Sequence, residues 1–385
     1  MRRRPFLAGL LPAALAWRQP AHAMVPGGAA ENPPQGVSHR ALRFPADHGS
    51  HPDTHVEWWY ITGWLRAGAD AAATTAPEFG FQVTFFRSRT GLAETSTSRF
   101  AARQLVFAHV ALTDLAAGAA GGGLMHDQRA AREGFGIVQT PAATGTQRVQ
   151  LHDWSLRRAA SGPDDTTSRM QVSVRTDRFA LVLDLSGTQP LLLQGEAGYS
   201  QKGPDPVDAS HYYSEPQLAV RGRVERAGAP ALDVSGRAWL DHEWSDRYLG
   251  TEAVGWDWVG FNLVDGAALM AFRLRRADGS VLWAGGSYRS AGGALRNFAA
   301  GEVRFEPQRV WTSPRTQARY PVEWVLATPS GRWRVAALQD DQELDSRNST
   351  GSVYWEGLSA LKRDDGSVAG YGYLELTGYA GRLRL

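Results

Sequence analysis

The chain has 385 residues, including 42 glycines and 14 tryptophans, and it contains no cysteine. This length provides for one or two domains, each with a substantial core. The absence of cysteine excludes disulfides, iron–sulfur clusters, cysteine-ligated zinc and a cysteine nucleophile. The formal net charge of +2, from 41 basic and 39 acidic residues, excludes a strongly charged protein.

The first 23 residues have the layout of a cleaved export signal. Arginines at the start precede an apolar stretch from Phe6 to Trp17, and the small-residue site Ala21-His22-Ala23 follows. The order Arg3-Arg4-Pro5-Phe6-Leu7 resembles the twin-arginine export pattern, and an ordinary Sec signal is the alternative. We therefore expect cleavage near Ala23 and a periplasmic or secreted protein.

The charge of the precursor belongs largely to this signal. Its removal takes away four arginines and no acidic residue, so the net charge becomes −2. No run of Lys and Arg remains that could follow a phosphate backbone, so nucleic-acid binding is not expected. No other stretch approaches the ~20 apolar residues of a membrane-spanning helix, so stable membrane insertion is not expected either.

Strand-type alternation dominates the rest of the chain, and helix-type periodicity is nearly absent. Asp265-Gly266 and Asp278-Gly279 each separate two such runs, which predicts tight hairpin turns. The pattern therefore indicates an all-β, antiparallel fold. The predicted strands cover residues 56–65, 79–87, 105–113, 147–156, 170–175, 179–185, 234–240, 257–264, 267–275, 281–288, 322–327, 333–338 and 370–378.

This number of strands exceeds what one small barrel uses, so two tandem β-barrels are predicted, each able to hold a small ligand. The least structured join lies at 223–233, where Arg-Ala-Gly-Ala-Pro separates two strands. We therefore predict a first domain at 40–228 and a second at 229–385.

A polar and aromatic cluster stands in the first half, from His55 to Trp64. If it is one strand, His55, Glu57 and Trp59 share a face. Such a face would place an imidazole and a carboxylate beside aromatic walls, which suits ligand binding. The alternative is structural, because buried polar groups and tryptophans are common in cores.

The second half holds a sharper cluster, Trp239-Leu240-Asp241-His242-Glu243-Trp244, followed by Trp256-Asp257-Trp258. Burial against indole rings raises the pKa of a carboxylic acid, which keeps it protonated near neutral pH and able to donate a proton. The structural alternative is that Asp241 and Asp257 cap turns while Trp244 closes the core.

Other chemistries find less support. No Gly-rich phosphate loop precedes a helix, and no Gly-x-Ser-x-Gly elbow is present. His51 and His55 have the spacing of a helical metal site, but this segment reads as a strand, so no metal is expected. A periplasmic sugar-binding protein or glycosidase is a minor alternative, because indole faces stack on sugar rings.

Several motifs together resemble the carotenoid 1,2-hydratase/AttH family. They run in the family's order from about residue 40 to the end of the chain. The C-terminal motifs match the exported branch that is often labelled predicted secreted hydrolases. The motifs are His55-Val56-Glu57-Trp58-Trp59-Tyr60, Phe79-Gly80-Phe81-Gln82, Ala108-His109, Tyr212-Tyr213-Ser214, Trp239 to Trp244, Gly255-Trp256-Asp257-Trp258, Tyr354-Trp355-Glu356-Gly357 and Gly372 to Tyr379.

The resemblance implies two tandem lipocalin-type barrels and a pocket for a long apolar molecule, often between the barrels. The hydratase branch uses a His-x-Trp pair, which His242 and Trp244 match. It also uses a Tyr-x-Asp pair on a following strand, but the corresponding residues 267–273 contain no carboxylate. The acid would then be Asp241, Glu243 or Asp257.

The leading hypothesis is therefore an exported hydrolase or hydratase that acts by acid catalysis on an apolar, lipid-like or isoprenoid substrate, without a cofactor. The alternative is a non-catalytic periplasmic carrier of a lipid or other apolar ligand. The candidate catalytic residues are Asp241, His242, Glu243 and Asp257, and the candidate ligand-binding residues are His55, Glu57, Trp59, Tyr212, Trp244, Trp256 and Trp258.

Overall fold

The computed structural model describes residues 36–68, 76–92, 94–98, 100–118, 123–132, 137–139, 147–159, 168–247 and 249–383. The predicted export signal, residues 1–23, lies outside this part of the chain. Within it, helical structure is limited to Ala46–His48 and Leu115–Gly118. No helix in the described ranges is long and apolar enough to cross a membrane.

The predicted all-β class is confirmed, with two antiparallel sheets. The first sheet contains β1 Val56–Ala67, β2 Phe79–Arg89, β3 Gln104–Asp114, β4 Leu124–Arg132, β5 Ile137–Gln139, β6 Gln147–Leu151, β7 Trp154–Arg158, β8 Arg169–Arg175, β9 Phe179–Ser186, β10 Leu192–Leu193, β11 Tyr199–Gln201, β12 Ala209–Arg226 and β13 Leu232–Ser245. The second contains β14 Gly255–Leu263, β15 Ala268–Arg275, β16 Val281–Arg289, β17 Leu295–Phe298, β18 Arg304–Thr312, β19 Arg319–Thr328, β20 Gly331–Ala337, β21 Glu343–Ser346, β22 Ser352–Lys362 and β23 Val368–Leu376.

The first sheet is a nearly closed, lipocalin-like barrel. Its strands follow the order β4-β3-β2-β1-β13-β12-β9-β8-β7-β6-β5, and β3 and β4 pack against β6. Its interior contains Trp59, Ile61, Phe81, Phe85 and Trp244, all buried.

The second sheet follows the order β17-β16-β15-β14-β23-β22-β20-β19-β18. It encloses its own core, which includes Phe261, Trp324 and Trp355. Both sheets lie in one compact unit. A third apolar cluster joins Tyr60 and Trp64 of β1 to Trp258 of β14 and Tyr373 of β23, so the two sheets pack face to face.

The turn predictions hold at both Asp-Gly pairs. Gly266 lies between β14 and β15 with φ +91°, and Gly279 lies between β15 and β16 with φ +83°. The predicted strand at 147–156 is wrong, because His152 takes φ +56° and turns the chain between β6 and β7. The period-2 pattern continues across this tight turn, which hides it.

The sheets meet at a different place from the predicted join at 228/229. Strand β13, which begins at Leu232, pairs with both β1 and β12 in the first sheet. The Gly- and Pro-containing segment before it is therefore a hairpin loop inside the first sheet. The change of sheet lies between Ser245 and Gly255.

Candidate functional site

A cavity of about 240 Å³ lies between the two sheets. By the same measure one water molecule occupies about 10–15 Å³, so this space is large enough for an organic molecule. The walls come from β1, β2, β3, β12 and β13 on one side and from β14, β22 and β23 on the other. They are mostly apolar, with Trp58, Tyr60, Phe86, Phe107, Tyr212, Trp256, Trp258 and Tyr354 among the aromatic residues.

Acidic residues also line this cavity, and they come from both sheets. Asp241 and Glu243 lie two residues apart on β13, so they share one face of that strand. Glu356 of β22 and Glu375 of β23 are register partners in the second sheet. Carboxyl groups in an apolar cavity favour the neutral form, because a low dielectric destabilises their charge.

Asp241 is buried among hydrogen-bond donors. Its Oδ1 accepts from the Ser214 hydroxyl at 2.5 Å and from the Trp239 indole at 2.6 Å, and its Oδ2 lies 2.6 Å from the Tyr212 hydroxyl. Burial raises the pKa of Asp241 to about 7, although these three hydrogen bonds oppose the shift. Asp241 therefore exchanges its proton near neutral pH.

Glu243 differs from Asp241 because it has a cationic partner. The Lys202 ammonium lies 2.9 Å from Glu243 Oε1 and 4.3 Å from the ring centroid of Phe272, and Ser210 also donates to Glu243. Burial raises the pKa of Glu243, and Lys202 partly offsets this effect. The pair is almost completely buried, so neither group is a freely exchanging acid.

Glu356 and Glu375 face each other without a basic partner among their recorded contacts. Burial, together with the nearby Glu375 carboxyl, raises the pKa of Glu356 well above its usual range. Burial also raises the pKa of Glu375, although a hydrogen bond from the Trp256 indole opposes the shift. The amide Nε2 of Gln82 donates to Glu356 Oε2 at 2.6 Å, whereas Glu356 Oε1 is buried without a hydrogen-bond partner.

His109 closes the cavity at the side of β3. Its Nδ1 lies 2.8 Å from the Tyr354 hydroxyl, and its Nε2 lies 2.8 Å from the Ser349 hydroxyl. Burial lowers the pKa of His109 to about 3, so the imidazole is neutral at physiological pH. It serves as a hydrogen-bonding group there rather than as a cation.

His242 lies between Asp241 and Glu243 in sequence, but its side chain is on the opposite face of β13, inside the first barrel. Its Nε2 lies 2.9 Å from Glu57 Oε1, and its Nδ1 lies 3.1 Å from the Tyr213 hydroxyl. His51 Nδ1 is 2.8 Å from the same Glu57 oxygen, and Arg87 Nε donates to Glu57 Oε2 at 2.9 Å. We call Glu57, His51, Arg87, His242 and Tyr213 the inner network.

Charge in the inner network is distributed differently from charge in the cavity. Burial alone would raise the pKa of Glu57, but hydrogen bonds from His242 and His51 hold it well below its usual range. Burial lowers the pKa of His242 to about 4. The contact between Glu57 and His242 is therefore a hydrogen bond from a neutral imidazole at neutral pH.

The inner network also contains the trio of ligating atoms that could hold a metal ion. In the described part of the chain, one atom each of His51, Glu57 and His242 lie within 4.8 Å of one another. Both imidazoles already contact Glu57 Oε1, and Arg87 occupies its other oxygen. A cation would have to displace these hydrogen bonds and would be repelled by the Arg87 guanidinium.

The residues predicted from sequence separate into different environments. Asp241, Glu243, Tyr212, Trp256 and Trp258 line the cavity. His242, Trp59 and Trp244 lie in the first barrel. Glu57 hydrogen-bonds His242 there, and it also contributes to the cavity lining together with Arg87. Asp257 points into the second sheet, where Arg273, Arg275 and the Tyr379 hydroxyl bind it. His55 is exposed, and its backbone N–H donates to Asp246.

The sequence pattern does not single out Glu356, Glu375 or Tyr60 as site residues, and it favours a structural role for Gln82 and His109. The available signal was an isolated carboxylate inside an apolar strand, as in Tyr354-Trp355-Glu356-Gly357 and Leu374-Glu375-Leu376. A carboxylate at such a position is costly to bury unless it is neutral or paired.

A profile of the AttH-like family matches residues 35–379. The crystal structure of an AttH protein from Nitrosomonas europaea is 46% identical, with a TM-score of 0.77, over 89% of this chain and 98% of that one. Kievitone hydratase from Nectria haematococca has a TM-score of 0.62 over 89% of this chain and 94% of that one, at 15% identity, and so shares the fold. A comparison with curated proteins finds no match.

Proposed function

The chain belongs to the AttH-like family, and we propose that it is a hydratase or hydrolase that binds an apolar, lipid-like molecule between its two sheets and transfers a proton to it. The observation that carries this proposal is the Asp241–Tyr212 pair at the cavity wall. A general acid works best when its pKa lies near the working pH, and burial places the pKa of Asp241 at about 7.

The hydrogen bonds of Asp241 indicate where its proton lies. When Asp241 is ionised, Oδ2 accepts from the Tyr212 hydroxyl at 2.6 Å and Oδ1 accepts from both Ser214 and Trp239. A proton taken up by Asp241 therefore belongs on Oδ2, and it reverses the hydrogen bond to Tyr212, so that Asp241 becomes the donor. The Tyr212 oxygen also accepts from the Trp258 indole at 3.2 Å. When Asp241 is protonated, both acceptor positions of that oxygen are in use, and the phenolic hydrogen is free to point into the cavity.

Tyr212 is then the immediate donor, and Asp241 supplies the proton behind it. Hydration of a double bond would form a C–H bond with this proton, and water would form a C–O bond at the adjacent carbon. The added water returns one proton to the Asp241 carboxylate, so the net addition is one water. Trp256 and Trp258, which also line the cavity, offer aromatic faces that stabilise a developing cation.

The comparisons support the proposal at the level of fold. Kievitone hydratase, named for a hydration activity, has the same fold at 15% identity. The residues of this chain provide the further argument, because protonated carboxyl groups and an apolar cavity are what acid-catalysed hydration requires. Hydrolysis would use the same acid and the same water.

The test incubates wild type and Asp241→Asn separately with a lipid extract of the host envelope, in water whose oxygen is the heavy isotope. We expect wild type to introduce heavy oxygen into apolar products, as followed by mass spectrometry. Loss of a general acid lowers rates by about 10²–10⁴-fold, so Asp241→Asn should nearly abolish labelling. Glu343→Gln is the control, since Glu343 is a buried carboxylate bound by Ser313 in the second sheet.

Two outcomes would contradict the proposal. Equal labelling by wild type and Asp241→Asn would remove Asp241 from the chemistry. A wild-type protein that retains a lipid in native mass spectrometry but introduces no label would be a carrier, which is the alternative function.

We also propose that residues 1–23 direct export through the twin-arginine route, which rests on Arg3-Arg4 and the Ala21-His22-Ala23 site. Replacing Arg3-Arg4 by Lys-Lys should leave the precursor in the cytoplasm, as measured by cell fractionation. Undiminished export of this variant would indicate the Sec route.

A further inference from the structure

One end of the cavity has unpaired polar atoms that the proposed proton transfer does not use. The Tyr60 hydroxyl, Gln82 Oε1 and Glu356 Oε1 are buried without a hydrogen-bond partner. All three residues line the cavity, and their exposed fractions are 6%, 1% and 3%. Buried polar atoms are normally paired, because leaving one unpaired destabilises the folded protein.

These three atoms belong to one site. Gln82 Nε2 donates to Glu356 Oε2 at 2.6 Å, which joins the Gln82 amide to the Glu356 carboxyl. The Tyr60 hydroxyl approaches the same carboxyl from β1 but forms no well-formed hydrogen bond with it. The site therefore brings together a residue from each of β1, β2 and β22, and it spans both sheets.

The donors and acceptors of this site can be assigned. Burial and the nearby Glu375 raise the pKa of Glu356 well above its usual range, which favours the protonated form. Its Oε2 accepts from Gln82, so the proton belongs on Oε1 and makes that atom a donor. The Tyr60 hydroxyl is a second donor, and Gln82 Oε1 is an acceptor.

We propose that this end of the cavity binds the hydroxyl group of an apolar alcohol, with Tyr60 and Glu356 donating to its oxygen and Gln82 accepting its hydrogen. An alcohol oxygen accepts two hydrogen bonds and donates one, which satisfies all three atoms. A ketone oxygen leaves Gln82 Oε1 unpaired, and a hydrocarbon leaves all three unpaired. The ligand class is thus a long apolar chain with a hydroxyl head.

This inference rests on the proposed function only for the location of the ligand, and it deepens that function. An alcohol is what hydration of a double bond or hydrolysis of an ester produces, so the site would hold the product by its new hydroxyl. Saturated probes can test it without any turnover, because they have no bond for the enzyme to hydrate or cleave.

The experiment measures dissociation constants of radiolabelled decan-1-ol, decan-2-one and decane by equilibrium dialysis against the full chain. A net hydrogen bond contributes about 0.5–1.5 kcal/mol, which is about two- to tenfold in affinity. We expect the alcohol to bind more tightly than the ketone and the ketone more tightly than decane, with about two- to tenfold at each step.

Tyr60→Phe is the sharpest variant, because the hydroxyl that it removes makes no well-formed hydrogen bond in the protein and has only loose contacts with Glu356 and Thr62. The variant should fold normally. The ratio of the dissociation constants of decane and decan-1-ol should fall by about two- to tenfold relative to wild type. Glu356→Gln keeps an N–H donor and should keep that advantage, whereas Glu356→Met should lose it. Tyr213→Phe is the matched control, since the Tyr213 hydroxyl bonds His48 and His242 inside the first barrel.

Equal binding of the three probes by wild type, or an unchanged alcohol advantage in Tyr60→Phe, would overturn the assignment. If the three probes do not bind in the expected order but heavy oxygen still enters the products, the hydroxyl site is wrong and the proposed function is supported. If the three probes bind in the expected order but Asp241→Asn labels the products as wild type does, the hydroxyl site is supported and the proposed proton transfer from Asp241 is wrong.

Discussion

The two faces of β13 carry similar residue types in opposite electrostatic states. On the cavity face, burial raises the pKa of both Asp241 and Glu243. On the barrel face, His242 contacts Glu57, whose pKa is held well below its usual range. The difference lies in the partners, because Glu57 accepts hydrogen bonds from two imidazoles and Arg87, whereas Asp241 has only neutral donors.

The partners of a buried carboxyl group decide whether it stabilises the fold or can transfer a proton. A fully paired, ionised carboxylate fixes the strands around it but has no proton to transfer near neutral pH. A carboxyl group that is buried among neutral donors lowers the stability of the fold at high pH, yet it keeps a proton available. The inner network, although Glu57 and Arg87 also border the cavity, therefore has the properties of a structural element, and Asp241 has those of a reacting group.

The largest effect is expected on the barrel face. Arg87→Met would leave the buried Glu57 carboxylate without its guanidinium, and it would also remove the hydrogen bonds from Arg87 to Thr54 and to the His51 carbonyl. Breaking a buried ion pair by removing one partner costs about 3–5 kcal/mol. We expect a loss of this size in the free energy of unfolding, measured by urea denaturation at pH 7. A loss below 1 kcal/mol would show that the inner network is not structural.

The next effect concerns the cavity face and its dependence on pH. Asp241 binds its proton more tightly in the folded state, with a pKa of about 7, than at its ordinary value of 3.8. The folded state therefore holds more protons between these values, so the free energy of unfolding falls as pH rises from about 4 to 7.

Asp241→Asn removes the contribution of Asp241 to this decline while it keeps a side chain of the same shape. We expect the variant to be more stable than wild type at pH 8 by about 2–4 kcal/mol, with the difference shrinking toward pH 4. Parallel curves of stability against pH for the two proteins would contradict a raised pKa for Asp241.

The smallest effect is expected for an exposed carboxylate. Asp345 pairs with Arg347, and both side chains are largely exposed, at 45% and 66%. Exposed ion pairs contribute about 0–1 kcal/mol, so Asp345→Asn should change the free energy of unfolding by less than about 0.5 kcal/mol. A larger change would show that an ion pair need not be buried to contribute strongly to stability, against the contrast with the buried Arg87–Glu57 pair.

Much of the fold could be predicted from sequence because local signals agree with it. The alternation along β1 correctly separates Trp59, which faces the barrel, from Tyr60, which faces the second sheet. The Asp-Gly turns were equally clear. The position of the join between the sheets was harder to predict, because the Gly- and Pro-containing segment before β13 resembles a linker although it is a hairpin loop.

Only some of the acidic residues that line the cavity could be predicted from the sequence. Asp241 and Glu243 were candidates because they stand among tryptophans in sequence, but Glu356 and Glu375 join them from more than 100 residues away. Asp257 looked equally suitable until the structure placed it beside Arg273 and Arg275 of the neighbouring strand. Strand order and register decide these contacts, and no local pattern contains that information.

Infrared titration detects the protonated carboxyl groups of the cavity themselves, because a neutral carboxylic acid has a C=O stretch that its ionised form lacks. We expect wild type to lose part of this band with a midpoint near pH 7, and Asp241→Asn to lose less of it, because only Glu375 then has a pKa of about 7. A wild-type spectrum in which the Asp241 component disappears near pH 4 would contradict a protonated acid in the cavity at neutral pH.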